Sequence, residues 1–148
     1  MPDPANIHGT AIVVGRTGLL FLGPSGVGKS ALAFACLASA RQLGISAALV
    51  ADDRVLISRR SDSLLAECPP AIAGLIEIRG TGLLRVPSIS SAPLHLAVLP
   101  VDLATAERLP PDDEQINVAE GLSLPVIRLS SASINPLAII MARHPTHF

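Results

Sequence analysis

Gly23-Pro24-Ser25-Gly26-Val27-Gly28-Lys29-Ser30 fills every fixed position of the pattern G-x-x-x-x-G-K-[ST]. Each fixed position has a physical task. The glycines permit positive-φ turns that aim successive backbone N–H groups inward and so form an anion nest. A helix that follows adds its unsatisfied N-terminal donors and the positive end of its dipole. Lys29 supplies a point charge for β- and γ-phosphates, and the Ser30 hydroxyl is a ligand for Mg²⁺. Residues Gly23, Pro24, Ser25, Gly26, Val27, Gly28, Lys29 and Ser30 are therefore expected to cradle phosphate, with ATP as the expected nucleotide.

The flanks supply the context the motif requires. Thr10–Val14 and Leu19–Leu22 are apolar runs around the turn residues Gly15-Arg16-Thr17-Gly18, which predicts a hairpin feeding directly into Gly23. Ser30–Leu43 is rich in Ala and Leu and is followed by Gly44, so a helix is expected there. Ala47–Ala51 reads as a buried strand ending at Asp52-Asp53, and Val55–Ser58 continues extended. Polar, then Pro-rich, Arg59–Pro70 reads as a loop. Beyond it, Ile72–Ile78 is apolar around Gly74, and Leu83–Val86 and Leu94–Val101 read as strands separated by a turn over Pro87–Pro93. Pro110-Pro111-Asp112-Asp113 breaks the chain; Leu124–Leu129 is a last strand and Pro136–Arg143 a short closing helix. The expected fold is α/β, a mixed sheet with few helices, in a single domain over 1–148.

Composition narrows the partners. Hydrophobic residues make up 49% of the 148 and charged ones 16%, which predicts a folded globular domain. A net charge of −1 leaves no basic surface for nucleic acid or anionic membrane, so phosphate must be bound by a local site. All three aromatic residues are Phe, so no Trp or Tyr platform exists for stacking bases. Apolar runs fall short of the roughly 20 residues a spanning helix needs. Met1-Pro2-Asp3-Pro4-Ala5-Asn6 lacks the basic and apolar regions of a secretory signal, so a soluble cytoplasmic protein is expected. Cys36 and Cys68 form no CxxC pair and read as two reduced thiols in or near a core.

The phosphate cradle alone does not say what becomes of the phosphate. Asp52 and Asp53 emerge from a strand expected beside the one that leads into Gly23. Strand alternation lets only one of them face the γ-phosphate, to hold Mg²⁺ through water or to take a proton from an attacking hydroxyl. A solvated acidic turn is the alternative. In Ile76-Glu77-Ile78-Arg79-Gly80-Thr81-Gly82, alternation puts Glu77 and Arg79 on one face, suited to a metal-and-phosphate site or to a plain surface ion pair. On spacing alone His8 is a surface residue, Glu107-Arg108 has no meaning, and His144 and His147 are tail.

Five pieces in order give these residues a common context: Ile7-His8-Gly9-Thr10, Gly23–Ser30, Leu49-Val50-Ala51-Asp52-Asp53-Arg54-Val55, Ile76–Gly82 and Glu107-Arg108-Leu109. Together they resemble the C-terminal catalytic domain of the bacterial HPr kinase/phosphorylase family in a short single-domain form. Glu77-Ile78-Arg79-Gly80-Thr81-Gly82 is the most specific piece. Coverage runs from about Ile7 to Leu109, leaving residues 110–148 as a divergent C-terminal part. Thr81 stands where the family has an aliphatic residue, and Pro24 where its loop is commonly acidic.

The resemblance implies a P-loop domain of the phosphoenolpyruvate carboxykinase-like type. It implies ATP and Mg²⁺ as cofactors and a seryl residue of an HPr-type phosphocarrier protein of the phosphotransferase system as substrate. It implies a reverse reaction in which inorganic phosphate attacks the phosphoserine to give pyrophosphate, and it implies a hexamer. In its terms Ser30 and Glu77 bind Mg²⁺, Asp52 takes the serine proton, His8 and Asp53 orient Asp52, and Arg79 and Arg108 steady phosphate. Two other classes compete with it: a P-loop kinase for a small metabolite, with Arg59-Arg60 as its lid candidate, and a nucleotide-dependent binding switch that transfers nothing.

Overall fold

The computed structural model describes residues 3–119 and 121–148. Met1 and Pro2, part of the N-terminal stretch read above, and Glu120, inside the expected domain, lie outside the described residues. Strands β1 (Ala5–Val14) and β2 (Thr17–Leu22) form the expected hairpin, longer than the apolar runs alone suggest. Val14 pairs with Thr17, which leaves Gly15-Arg16 as the whole turn, and Gly15 takes the positive φ of 61° that a tight hairpin demands.

Helix α1 (Lys29–Gln42) follows the P-loop. It buries Leu32, Ala33, Cys36, Leu37 and Ala40, a stripe at helical spacing, against the sheet. Its end is a Schellman motif: the Ile45 N–H donates to Ala40 O and the Gly44 N–H to Arg41 O, with Gly44 at φ 74°.

The next segment corrects one expectation. Strand β3 (Ala47–Arg60) runs unbroken through Asp52-Asp53, and β4 (Ser63–Glu67) turns back on it after Ser61-Asp62. Arg59–Pro70 is thus mostly strand. Its exposed arginines hide the pattern, yet Leu64 and Ala66 alternate into the core. A short 3-10 turn (Pro70–Ile72) leads to a separate hairpin of β5 (Leu75–Ile78) and β6 (Gly82–Arg85). Ile76 on β5 is fully buried and joins the core under α1, which docks this hairpin beside the P-loop.

The expected turn over Pro87–Pro93 is also partly strand. β7 (Ser91–Leu94) and β8 (Leu96–Val101) are separate, with His95 between them. Pro93 is tolerated because β7 is a sheet edge, where a missing donor costs no ladder bond. β9 (Gln115–Ala119) was not expected; β10 (Leu122–Ser130) and α2 (Pro136–Arg143) complete the chain.

The main sheet runs β7-β4-β3-β1-β2-β8-β10-β9. It is mixed: β2, β8 and β10 are parallel, while β1 is antiparallel to both β2 and β3. With two α-helices among the described residues, both packed on one face, the class is α/β with a strand-rich sheet. The other face is closed by the sheet itself, where Val50, Ile57, Leu64, Leu94 and Leu124 form a second core and β9 meets β3. Because β2, β8 and β10 are parallel, their C-terminal ends open on one edge, and the P-loop lies there. No helix among the described residues is long and apolar enough to cross a membrane.

Candidate active site

Gly23, Gly26 and Gly28 have φ of 139°, 82° and 105°, so the loop takes the positive-φ path that only glycine adopts without strain. Gly28 is the N-cap of α1, makes no side-chain cap, and is followed by no acidic residue in the first turn. The first amides and the dipole of the helix therefore face the loop's concavity uncompensated. Lys29 is 7% exposed, and its Nζ donates to Gly23 O at 2.6 Å and Pro24 O at 2.9 Å. Burial pulls the Lys29 pKa below its ordinary 10.5, opposed by the negative charges of Asp52 and Asp53.

Asp52 is the centre of the polar network. It is 6% exposed, and three donors converge on it. Thr10 Oγ1 at 2.8 Å and Ser30 Oγ at 2.6 Å donate to Oδ1, and the Glu77 N–H donates to Oδ2 at 2.9 Å. Those three partners come from β1, the P-loop helix and β5, so the carboxylate ties three elements together. Thr10, wholly buried, is the residue that sequence reasoning passed over. Its signal was a hydroxyl inside an otherwise apolar strand, since a buried polar group needs a partner.

Strand alternation alone would put Asp52 and Asp53 on opposite faces, yet both line the same cavity. Asp53 has a φ of 73°, uncommon for a non-glycine residue, and this local reversal undoes the pleat. Its Oδ1 lies 3.1 Å from His8 Nε2, which β1 brings alongside because Gly9 pairs with Asp53.

The β5–β6 hairpin closes the cavity from the far side. Glu77 and Arg79 both line it, and Ile76 points into the core, as alternation predicted. The Arg79 guanidinium reaches over the P-loop: a Cβ placed on Gly26 would lie 3.4 Å from its terminal nitrogens. The cavity measures about 410 Å³ and holds His8, Ser25, Lys29, Ser30, Asp52, Asp53, Glu77 and Arg79 among its walls. Arg108 is not there. It lines a second cavity of about 590 Å³ beside Glu107, Asp102 and Arg128, with Val101 and Ser130 in its wall.

Among the described residues no three His, Cys, Asp or Glu side chains form a metal cage. The donors present suit Mg²⁺ in another way. A hydroxyl and one or two carboxylates, completed by phosphate oxygens and water, are the usual protein share of that ion's shell. Ser30 and Glu77 offer that set, both hard oxygen ligands lining the cavity.

Comparison with known proteins gives this geometry a context. Residues 1–93 match the family model described as the HPr Serine kinase C-terminal domain. The chain is 29% identical over 145 residues to the HPr kinase/phosphorylase of Cupriavidus necator, covering 91% of this chain and 43% of that protein. It is 39% identical over 87 residues to HPr kinase/phosphorylase 1 of Oceanobacillus iheyensis, covering 58% of this chain and 26% of that protein. The chain thus spans less than half the length of these curated relatives. Among solved structures, that of the Hpr(Ser) kinase/phosphatase from Coxiella burnetii superposes with a TM-score of 0.77 at 24% identity. It covers 97% of this chain and 95% of that one, so the two share a fold.

Proposed function

Since the chain belongs to the HPr Serine kinase C-terminal domain family, we propose that it is an ATP-dependent kinase for a seryl hydroxyl on an HPr-type phosphocarrier protein. The observation that carries the proposal is Asp52, fixed by three donors in the cavity that also holds Lys29. A carboxylate has about four lone-pair positions. Two on Oδ1 and one on Oδ2 are taken, which leaves one acceptor position on Oδ2. That position receives the proton of a seryl hydroxyl as its oxygen attacks the γ-phosphorus in line with the leaving ADP oxygen.

The other residues position and stabilise. P-loop amides and Lys29 hold the β-phosphate, and Arg79, above Gly26, offsets charge on the transferred group. His8 and Asp53 flank Asp52 on the solvent side, where the carrier protein enters. Ser30 and Glu77 would hold Mg²⁺, which neutralises phosphate charge when bound. Arg108 lines the other cavity and takes no part in this step.

The relatives are named kinase/phosphorylase, and the reverse direction belongs to the proposal. An oxygen of inorganic phosphate attacks the phosphoserine phosphorus, the serine oxygen leaves, and protonated Asp52 returns the proton to it. The products are pyrophosphate and unmodified carrier. Hexameric assembly, carried from the family resemblance, and a cytoplasmic location complete the proposal.

Incubation with γ-labelled ATP, Mg²⁺ and a panel of purified HPr-type carriers, read by intact mass and site mapping, is the test. Phosphate on a carrier serine is expected. Asp52→Asn should keep ATP binding and lower transfer by about 10²–10⁴-fold, the usual worth of a general base. ATP bound with no carrier modified would overturn the proposal in favour of a metabolite kinase or a switch.

A further inference from the structure

The β5–β6 hairpin presents two unlike faces. Pairing sets Ile76 opposite Leu84 and Glu77 opposite Leu83, and directly opposed residues share a side. Ile76 and Leu84, with Ile78 and Val86, pack on the core under α1. The other side carries Glu77 and Leu83, and both line the Asp52 cavity. Leu83 is 65% exposed there. Leu75 on β5 and Ile72 in the 3-10 turn, both half-buried, continue its apolar wall. The tip of the hairpin stands clear of the body, since a Cβ added at Gly80 or Gly82 would meet no atom within 4 Å.

Phosphate, Mg²⁺ and the transferred proton make no use of this wall, because none of them has apolar surface to lay on it. A leucine held in water at the mouth of a polar cavity gains only when an apolar group covers it. Two features say what that group belongs to. Asp52 is 6% exposed, so an acceptor hydroxyl reaches it only on a segment that enters the cavity and lies against its walls. Charge cannot hold that segment. Asp52, Asp53 and Glu77 stand against Lys29 and Arg79 in the cavity, and the net charge of the whole chain is −1. Affinity for the acceptor must then come from contact area, and the hairpin wall is where the cavity offers it. A small polar metabolite gains nothing from that wall, whereas a protein segment with an apolar residue beside its serine does.

We infer that Leu83, backed by Leu75 and Ile72, is the specificity-determining seat for the acceptor. It takes an apolar side chain next to the phosphorylated serine of a protein acceptor, and so selects a protein segment over a small metabolite. The seat rests on the kinase reading above and deepens it by naming the surface of this chain that chooses the acceptor.

Steady-state kinetics on the purified HPr-type carrier that the unaltered protein phosphorylates, with calorimetry on Mg·ATP, test the seat. Leu83→Ser changes an exposed side chain on the face turned away from the core. It should raise KM for the carrier about tenfold, the size expected from burying most of a leucine side chain. Mg·ATP affinity should stay within about twofold. Leu83→Met, close in volume and still apolar, should restore KM. Changing the apolar residue beside the carrier's serine to Ser should raise KM for the unaltered protein, yet add little for Leu83→Ser. A merely structural loss at the hairpin would not produce that non-additivity. A carrier KM unmoved by Leu83→Ser, or two losses that simply add, would overturn the seat and leave the kinase standing. Phosphate placed by the unaltered protein on a small metabolite and on no carrier would overturn both.

Discussion

The two ends of the β1–β2 hairpin solve opposite problems with the same strands. At the P-loop end, Thr10 and Gly23 border a polar cluster in which Asp52 has three hydrogen-bond donors. At the turn end, Thr17 and Gly18 are held by the C-terminal tail and the β7–β8 junction. Thr17 Oγ1 donates to the His147 carbonyl, the Gly18 N–H donates to His95 Nδ1 at 2.9 Å, and the His95 N–H donates to Gly18 O. One end is built from residues whose chemistry announces itself. The other is built from contacts between segments nearly 80 and 130 residues apart, which no local pattern can display.

Glycine substitutions at the two ends should break this comparison most sharply. An added Cβ on Gly18 would sit 1.8 Å from Pro93 O, a backbone atom that cannot swing aside. Gly18→Ala should therefore cost about 3 kcal/mol or more, within the range of severe overpacking. Gly26→Ala meets only the flexible end of Arg79 but must hold a φ of 82°. It should cost about 1 kcal/mol in stability while lowering ATP affinity severely, because the loop's path is the binding site. Chemical denaturation and calorimetry on both variants check the contrast. Equal stability losses would mean that the two ends differ less than their contacts imply.

Thr10→Val probes the P-loop end without touching its shape. It removes one donor from a buried carboxylate, so a loss of about 1–3 kcal/mol is expected. Transfer should fall with it, since Asp52 would lose the β1 tether that helps fix its free acceptor position. Rescue by Thr10→Ser would assign the effect to the hydroxyl rather than to packing.

How much of this was legible follows the same division. The P-loop, its helix and α2 could be read because glycine spacing, Ala/Leu content and a Pro start are local signals. Glu77 and Arg79 share a cavity, Glu77 on β5 and Arg79 in the turn just after it, where the period of two still holds. Asp53 could not, since a single positive φ reverses its side chain and nothing in Ala51-Asp52-Asp53-Arg54 marks that reversal. β4 and β9 were missed because each is five residues long and carries polar positions among its apolar ones. Their strand character comes from pairing with β3, β7 and β10, which is tertiary information. Arg108 was assigned by resemblance, and the fold sets it in a different cavity from Arg79. His147, read as tail, accepts the Thr17 hydroxyl at the turn end, with the His144 ring against its own.

That anchor yields the smallest expected effect, and its sign can be worked out. His95, His144 and His147 form a cluster, with ring centroids 6.3 Å apart for His95 and His147 and 5.6 Å for His144 and His147. Burial, then the nearness of His147, lowers the pKa of both His95 and His144 below the ordinary 6.5, with Arg143 adding to the effect on His144. Geometry gives the same direction, because His95 Nδ1 accepts the Gly18 N–H and cannot also carry a proton. His147 Nδ1 is buried with no partner of its own. Below pH 6.5 the unfolded chain therefore takes up protons that the folded chain resists, and stability falls as pH drops. Glu114, whose pKa is lowered by its bond from Arg128, acts only below its ordinary 4.5. The window between pH 7.5 and 5.5 thus isolates the histidines from that pair. A modest decline in Tm is expected across it, and His147→Phe should flatten the decline by removing the neighbour that both rings share. A slope unchanged by His147→Phe would show that burial of His95 and His144 alone sets the decline and that their shared neighbour adds nothing to it.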